Sequence, residues 1–266
     1  MEVVVDSRRD EVLAWLEGMP DFAGGELVIA SADASFRRYF RWTLDGKTYV
    51  VMDAPPDKEP CEPFVKIAEV LLQAGVRVPE IPAQDLDRGF LVLSDFGDLH
   101  YQEAIEGKGR DNLYELALRE ILKLQTGLRE EANALKDYDE DWVRMELEIF
   151  REWCLPDFSQ DEYGKVTTLL VDTFLEQPRV FVHRDFHCRN LLVLPDGNPG
   201  VIDFQGALHG PITYDPVSLL RDCYVDNAED WITSKALAHK SGLVESGVLP
   251  DELSDEAFLR WFDFTG

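Results

Sequence analysis

The 266-residue chain is short of positive charge. Its 26 lysines and arginines stand against 52 aspartates and glutamates, a formal net charge of −26. Binding a nucleic acid means neutralising phosphates with clustered Lys and Arg, and anionic membrane makes the same demand. A nucleic-acid or membrane partner is therefore not expected. Cysteine is scarce too: Cys61, Cys154, Cys188 and Cys223 lie scattered with no C-x-x-C pair. That leaves no zinc site or disulfide framework and fits a reducing, cytoplasmic setting. No apolar run approaches the roughly 20 residues that span a bilayer. The start Met1-Glu2-Val3-Val4-Val5-Asp6 has no basic leader region. G-x-x-x-x-G-K-[ST] and G-x-G-x-x-G are both missing, which removes the P-loop and dinucleotide fingerprints. G-x-S-x-G is missing as well, so no hydrolase nucleophile elbow is present. No repeat or low-complexity tract occurs, and no apolar exposed stripe stands out, so a monomer is expected.

What is present is concentrated in residues 183–206. They read His183-Arg184-Asp185-Phe186-His187-Cys188-Arg189-Asn190, an apolar run, a Pro195-Asp196-Gly197 turn, a second apolar run, then Asp203-Phe204-Gln205-Gly206. A carboxylate at Asp185 can take a proton from an attacking hydroxyl. The amide oxygen of Asn190 and the carboxylate of Asp203 can hold magnesium beneath a nucleotide's phosphates. An Asn five residues after the Asp, then an apolar hairpin ending in an Asp, brings all three to one place. As plain structure, the same residues would be a turn Asn and a capping Asp on an inert hairpin. His183 and His187 lack the H-E-x-x-H setting of a zinc site. Cys188 is read as a small side chain facing the loop's own core rather than as a nucleophile.

Periodicity divides the rest. Residues 8–17 read as helix and Glu26–Ala30 as strand. Arg37–Leu44 and Lys47–Asp53 flank Asp45-Gly46, a two-residue hairpin signal. A helix carries Phe64, Ile67, Ala68, Leu71 and Leu72 and stops at Gly75; short strands follow near Glu80–Ala83 and Phe90–Leu93. From 99 onward the pattern is helical, near 112–129, 139–154 and 160–176, with a strand at Arg179–Val182. Further helices are expected at 215–225, 229–240 and 252–263. The fold class is therefore α+β: a small antiparallel β-rich lobe with one helix, residues 1–95, and a larger, mainly helical lobe, residues 96–266.

These segments resemble the aminoglycoside-phosphotransferase-like kinases, a bilobal protein-kinase-like fold. More closely they resemble the anomeric N-acetylmuramate/N-acetylglucosamine kinases of bacterial cell-wall recycling. The resemblance is carried by Asp33 to Arg41 (D-A-S-F-R-R-Y-F-R), Met52-Asp53-Ala54-Pro55-Pro56 and Gly75 to Pro79. It continues through Leu93 to Gly97, the 183–190 loop, Asp203 to Ala207 and Gly210 to Pro216. It implies an ATP- and magnesium-dependent sugar kinase with a small-molecule sugar partner. The γ-phosphate would go to the anomeric hydroxyl of an amino sugar, with nucleotide in the cleft between the lobes. Asp185 would be the base, Asn190 and Asp203 the metal ligands, and Arg189 a contact to transferring phosphate or to the sugar's carboxylate. Leu93 and Asp95 would flank adenine at a hinge, so Asp95-Phe96-Gly97 is not the metal motif. His183 and Arg184 would brace the loop.

The sequence departs from the pattern in three ways. The strand that bears a phosphate-binding Lys in protein kinases reads Val50-Val51-Met52-Asp53 here. Arg37 or Arg38 is expected to replace that charge, after a glycine-poor turn whose Ser35 and Phe36 would also meet nucleotide. The chain stops at Gly266, where family members usually continue past the equivalent of Trp261–Phe264; a cut chain, which would lack part of the sugar pocket, and a natural short form both stay open. Two other readings stay open: a phosphotransferase of the same fold acting on an aminoglycoside or amino alcohol, and a nucleotide-binding pseudokinase acting as an interaction module.

Overall fold

A computed structural model describes residues 6–32, 36–107 and 109–266. The chain forms two compact units, one of residues 1–69 and 78–97, the other of 70–77 and 98–266.

The first unit is built on an antiparallel sheet in the order β1-β2-β3-β5-β4. Helix α1 (Ser7–Glu17) starts where the Asp6 carboxylate accepts the Arg9 N–H, one of the donors a helix start leaves unpaired. Strands β1 (Glu26–Ala32), β2 (Arg38–Leu44) and β3 (Lys47–Asp53) follow. β2 and β3 meet in full register around Asp45 and Gly46, both at positive φ (50° and 78°). That is the turn whose twist matches paired strands. Helix α2 (Glu62–Gln73), which spans the division between the units, precedes β4 (Ala83–Asp85) and β5 (Phe90–Ser94). One face of the sheet closes on α1. Phe40 and Trp42 alternate inward on β2 and join Val51, Phe90 and Val92 against Val12, Trp15 and Leu16. Burying each of these contributes about 1.5–3 kcal/mol.

The strand expected at Glu80–Ala83 lies further on, at Ala83–Asp85. Pro79 and Pro82 lack the N–H that a ladder needs. The 80 region still docks, through Ser94 N–H to the Glu80 carbonyl at 2.9 Å.

In the second unit α3 (Tyr101–Ala104), α4 (Arg110–Gly127), α5 (Arg129–Ala132), α6 (Glu140–Cys154) and α7 (Gln160–Leu175) lead to β6 (Arg179–Val182). β7 (Leu191–Val193) pairs with β8 (Pro199–Val201) as the expected hairpin. β9 (Leu208–Pro211), absent from the sequence reading, pairs with β6. α8 (Tyr214–Leu220), α9 (Glu229–Glu245) and α10 (Asp255–Thr265) complete the unit. α8 stops five residues short of the expected 225. The Asp222 carboxylate instead turns to accept the backbone N–H groups of Cys188 and Tyr224. Together the sheet-based unit and the mainly helical unit give the expected α+β class.

The monomer expectation leaned on the absence of an apolar stripe, and that premise does not hold. Met145, Ile149 and Trp153 recur every fourth residue on α6 and are about half exposed or more, Trp153 at 82%. No helix among the described residues is long and apolar enough to cross a membrane.

Candidate active site

The loop after β6 is held in a shape that non-glycine residues rarely adopt. Arg184 has φ 83°, a conformation that costs on the order of 1–3 kcal/mol and needs external support. Asp215, in the first turn of α8, supplies it. Its Oδ2 accepts the His183 N–H at 2.8 Å and its Oδ1 the Arg184 N–H at 2.9 Å. Buried His183 pins the loop to the strand before Asp203, its Nε2 lying 3.1 Å from the Ile202 carbonyl. A carbonyl only accepts, so Nε2 carries the proton. Burial pushes the pKa of this ring down to about 3, which keeps it neutral.

Within that frame the three expected groups converge. Asn190 Nδ2 donates to the Asp185 carbonyl at 3.0 Å and reaches Asp203 Oδ2 at 3.3 Å. The backbone reinforces this: Asn190 N–H meets the His187 carbonyl and Ile202 N–H meets the Asn190 carbonyl. Asp203 is a second non-glycine residue at positive φ, 64°. Its Oδ1 accepts from Gln205 Nε2 at 2.6 Å. Burial raises the Asp185 pKa, the negative charge of Asp203 raises it further, and Arg184 opposes both. A half-buried carboxylate with a raised pKa is suited to proton transfer. Asp203 and the Asn190 amide oxygen are hard oxygen donors of the kind magnesium takes alongside phosphate oxygens. Among the described residues no group of three or more His, Cys, Asp or Glu could hold a metal unaided. A two-ligand cradle completed by phosphates fits both facts.

The other candidates have partners of their own. Arg189 Nε donates to Gln102 at 2.9 Å, and its guanidinium stacks 3.5 Å from the Tyr224 ring centre. With His100, Gln102 and Glu103 it lines a recess of about 220 Å³. Cys188 is buried, and burial pushes its thiol up to about 12. Ser35 falls outside the described residues, and Phe36 is exposed beside Lys58. Arg37 pairs with Glu59 at 3.0 Å. Arg38 is committed to acids of its own unit. Its Nη2 meets Asp53 and its Nη1 meets Asp6, each at 2.7 Å, while Arg8 closes on the other oxygen of the fully buried Asp53. Leu93 is buried in β5, paired with Val50. The Asp95 carboxylate takes Arg41 Nε at 2.7 Å and the Gly97 N–H at 2.9 Å.

Three acids behind the loop had no role in the sequence reading: Glu146, Asp215 and Asp222. Asp215 and Asp222 follow the 183–206 segment closely enough to suggest a second strap. Glu146 sits mid-helix 39 residues before Asp185, where periodicity reports a face and not a function.

The phosphotransferase enzyme family model matches residues 26–240. The chain belongs to this family. It is 42% identical to an N-acetylmuramate/N-acetylglucosamine kinase of Pseudomonas aeruginosa over 98% of this chain and 81% of that protein. It is 38% identical to the kinase of the same name from Neisseria meningitidis, over 97% of this chain and 80% of that one. Among solved structures, an aminoglycoside phosphotransferase from Streptomyces rimosus superposes with a TM-score of 0.60 at 19% identity, covering 98% of this chain and 99% of that one. That likeness shows the kinase-like fold, and family membership implies nucleotide use.

Proposed function

We propose that this protein transfers the γ-phosphate of ATP to the anomeric hydroxyl of an N-acetylated amino sugar, N-acetylmuramate or N-acetylglucosamine, giving the sugar 1-phosphate. The observation that carries the reaction is the single Asn190 amide bonded both to the backbone of Asp185 and to the carboxylate of Asp203. It ties a base and a pair of cation ligands into one unit. The relatives' substrates support the sugar class, since two kinases of that name match over nearly the whole chain.

In this reading Asp185 orients the hydroxyl and takes its proton as the new O–P bond forms and the bond from the γ-phosphorus to the bridging oxygen breaks. The proton then leaves Asp185 for solvent, and ADP departs. Magnesium, held by Asn190 and Asp203, would offset phosphate charge when bound. A hemiacetal hydroxyl is more acidic than an ordinary alcohol, so positioning contributes more than basicity. Residues 1–95 would serve the nucleotide, with Leu93 and Asp95 on the adenine side and Phe36 and Arg37 toward the phosphates; residues 96–266 would serve the acceptor.

The test is γ-labelled ATP with magnesium and a panel of N-acetylmuramate, N-acetylglucosamine, glucose, ethanolamine and kanamycin. Label is expected on the two N-acetylated sugars. Asp185→Asn is expected to lose at least about 10²-fold in rate while ATP affinity stays within twofold. Label on kanamycin or ethanolamine alone would replace the sugar reading, and no label anywhere would favour a pseudokinase.

A further inference from the structure

Arg184 follows a buried strand end, and Asp215 fixes the backbone there by holding the successive N–H groups of His183 and Arg184. Its guanidinium is held by contacts of its own. Nη2 donates to Glu146 Oε1 at 3.1 Å, and the group lies 5.5 Å from the Trp142 ring centre. Glu146 is itself fixed, its Oε2 accepting from Tyr138 Oη at 2.6 Å and its Oε1 from Trp142 Nε1 at 2.9 Å. Three donors on one carboxylate make a stiff anchor.

What this anchored guanidinium faces is defined by Gly206. A methyl carbon placed on Gly206 would stand 4.0 Å from Arg184 Nη1 and 4.0 Å from Asp185 Oδ2, with no other non-neighbouring heavy atom so close. The space before Gly206 is thus lined by the oxygen of the base and by a group that can only donate. Arg184 is anchored on α6, whereas the cation-binding pair is anchored through Gln205 and the hairpin.

We infer that Arg184 faces the acceptor and selects, next to the reacting hydroxyl, a substituent bearing an oxygen acceptor, and that Glu146 is the residue that positions it. This rests on the amino-sugar reading above, in which that substituent is the acetamido carbonyl beside the anomeric carbon. A hydroxyl can also accept from the guanidinium, but its own O–H then finds no acceptor on Arg184, so it gains less than a carbonyl does. Gly206 leaves the room that the substituent occupies.

Steady-state kinetics of the whole chain test this, with wild type, Arg184→Ala, Arg184→Lys, Glu146→Gln and Gly206→Ala. Each is measured against N-acetylglucosamine, glucose and ATP, beside its unfolding midpoint. Gly206 lies outside the left-handed region and 4.0 Å is ordinary contact, so Gly206→Ala is expected to fold normally. It and Arg184→Ala should raise KM for N-acetylglucosamine at least tenfold, with KM for ATP within twofold and the preference for N-acetylglucosamine over glucose reduced by a similar factor. Arg184→Lys should fall between Arg184→Ala and wild type. Glu146→Gln should raise KM less, because the charge stays and only its aim loosens. The assignment is overturned if folded Arg184→Ala and Gly206→Ala keep both sugar KM and sugar preference, or if KM for ATP rises in their place. If wild type labels another alcohol, the sugar reading fails, and the Arg184 assignment is judged on the same KM comparison with that alcohol. If wild type labels none, both fail.

Discussion

The carboxylate of Asp215 sits in full burial and spends both oxygens on the backbone N–H groups of His183 and Arg184. Asparagine at this position offers one acceptor oxygen and turns an NH2 toward the other N–H. One buried donor is then orphaned, a cost of about 1–3 kcal/mol, and the left-handed Arg184 loses half of its restraint. Asp215→Asn is expected to lower stability by about that amount in denaturant unfolding. Because the loop carries Asp185, kcat should fall while nucleotide affinity holds; unchanged kcat in a destabilised variant would limit Asp215 to a purely structural role. That Asp185, Asn190 and Asp203 come together was legible beforehand, because their spacing within one loop and hairpin brings them to one place. Their supports were not. Asp215 reaches the loop only after β9 has carried the chain back beside β6, and Glu146 only through the packing of α6. Arg38 shows the opposite failure of vision: a basic residue beside a predicted nucleotide turn looked available, yet Asp53, paired with it across the hairpin, claims it.

At the scale of elements, local turn chemistry could be read and non-local pairing could not. The β2–β3 hairpin follows from Asp45-Gly46 because both residues sit at positive φ, which few residue pairs tolerate. β9 has four residues, Leu208–Pro211, with a glycine and a proline among them. Its strand character comes wholly from β6, so no local pattern could announce it. The glycines of the first unit make a graded prediction. Gly46 opens into solvent, and Gly46→Ala meets only backbone strain, costing about 1 kcal/mol. Gly89 also has positive φ (75°), but a Cβ there would fall 1.8 Å from the Ala54 carbonyl oxygen, beside the bond from Ala54 N–H to the Gly89 carbonyl. Gly89→Ala must push β3 and β5 apart where Asp53 faces Phe90. It should cost at least about 3 kcal/mol, strain and lost packing together. Thermal unfolding of the two variants checks the order, and equal losses would contradict the close approach at Gly89.

For the molecule as a whole, pH acts on a few buried groups that oppose one another. His239 Nε2 lies 2.8 Å from Gln125 Oε1, and Gln125 Nε2 donates to the Ile212 carbonyl. The Gln oxygen must therefore accept, and the ring is a neutral donor. Burial lowers the His239 pKa to about 4, and that of His183 to about 3. For each ring the folded state binds fewer protons than the unfolded state. The stability gained by keeping it neutral is full above pH 6.5 and is lost as pH falls toward the folded value. Asp215 runs the other way. Burial raises its pKa to about 7, so the folded state holds the extra proton, and its contribution is largest below pH 3.8 and shrinks as pH rises to 7. A single wild-type profile mixes these slopes with the relief of charge repulsion in a chain of net charge −26, so the informative quantity is a difference between variants. His239→Gln keeps a donor toward Gln125 and removes the titration. Between pH 7 and pH 4 the stability advantage of wild type over His239→Gln should shrink by on the order of 3 kcal/mol, read from denaturant midpoints at matched salt. The same comparison with Asp215→Asn should show the gap widening in wild type's favour as pH falls from 7 toward 4. A gap that stays flat for His239→Gln would mean the ring is charged or solvated in the folded protein, and the buried Gln125–Ile212 arrangement would have to be redrawn.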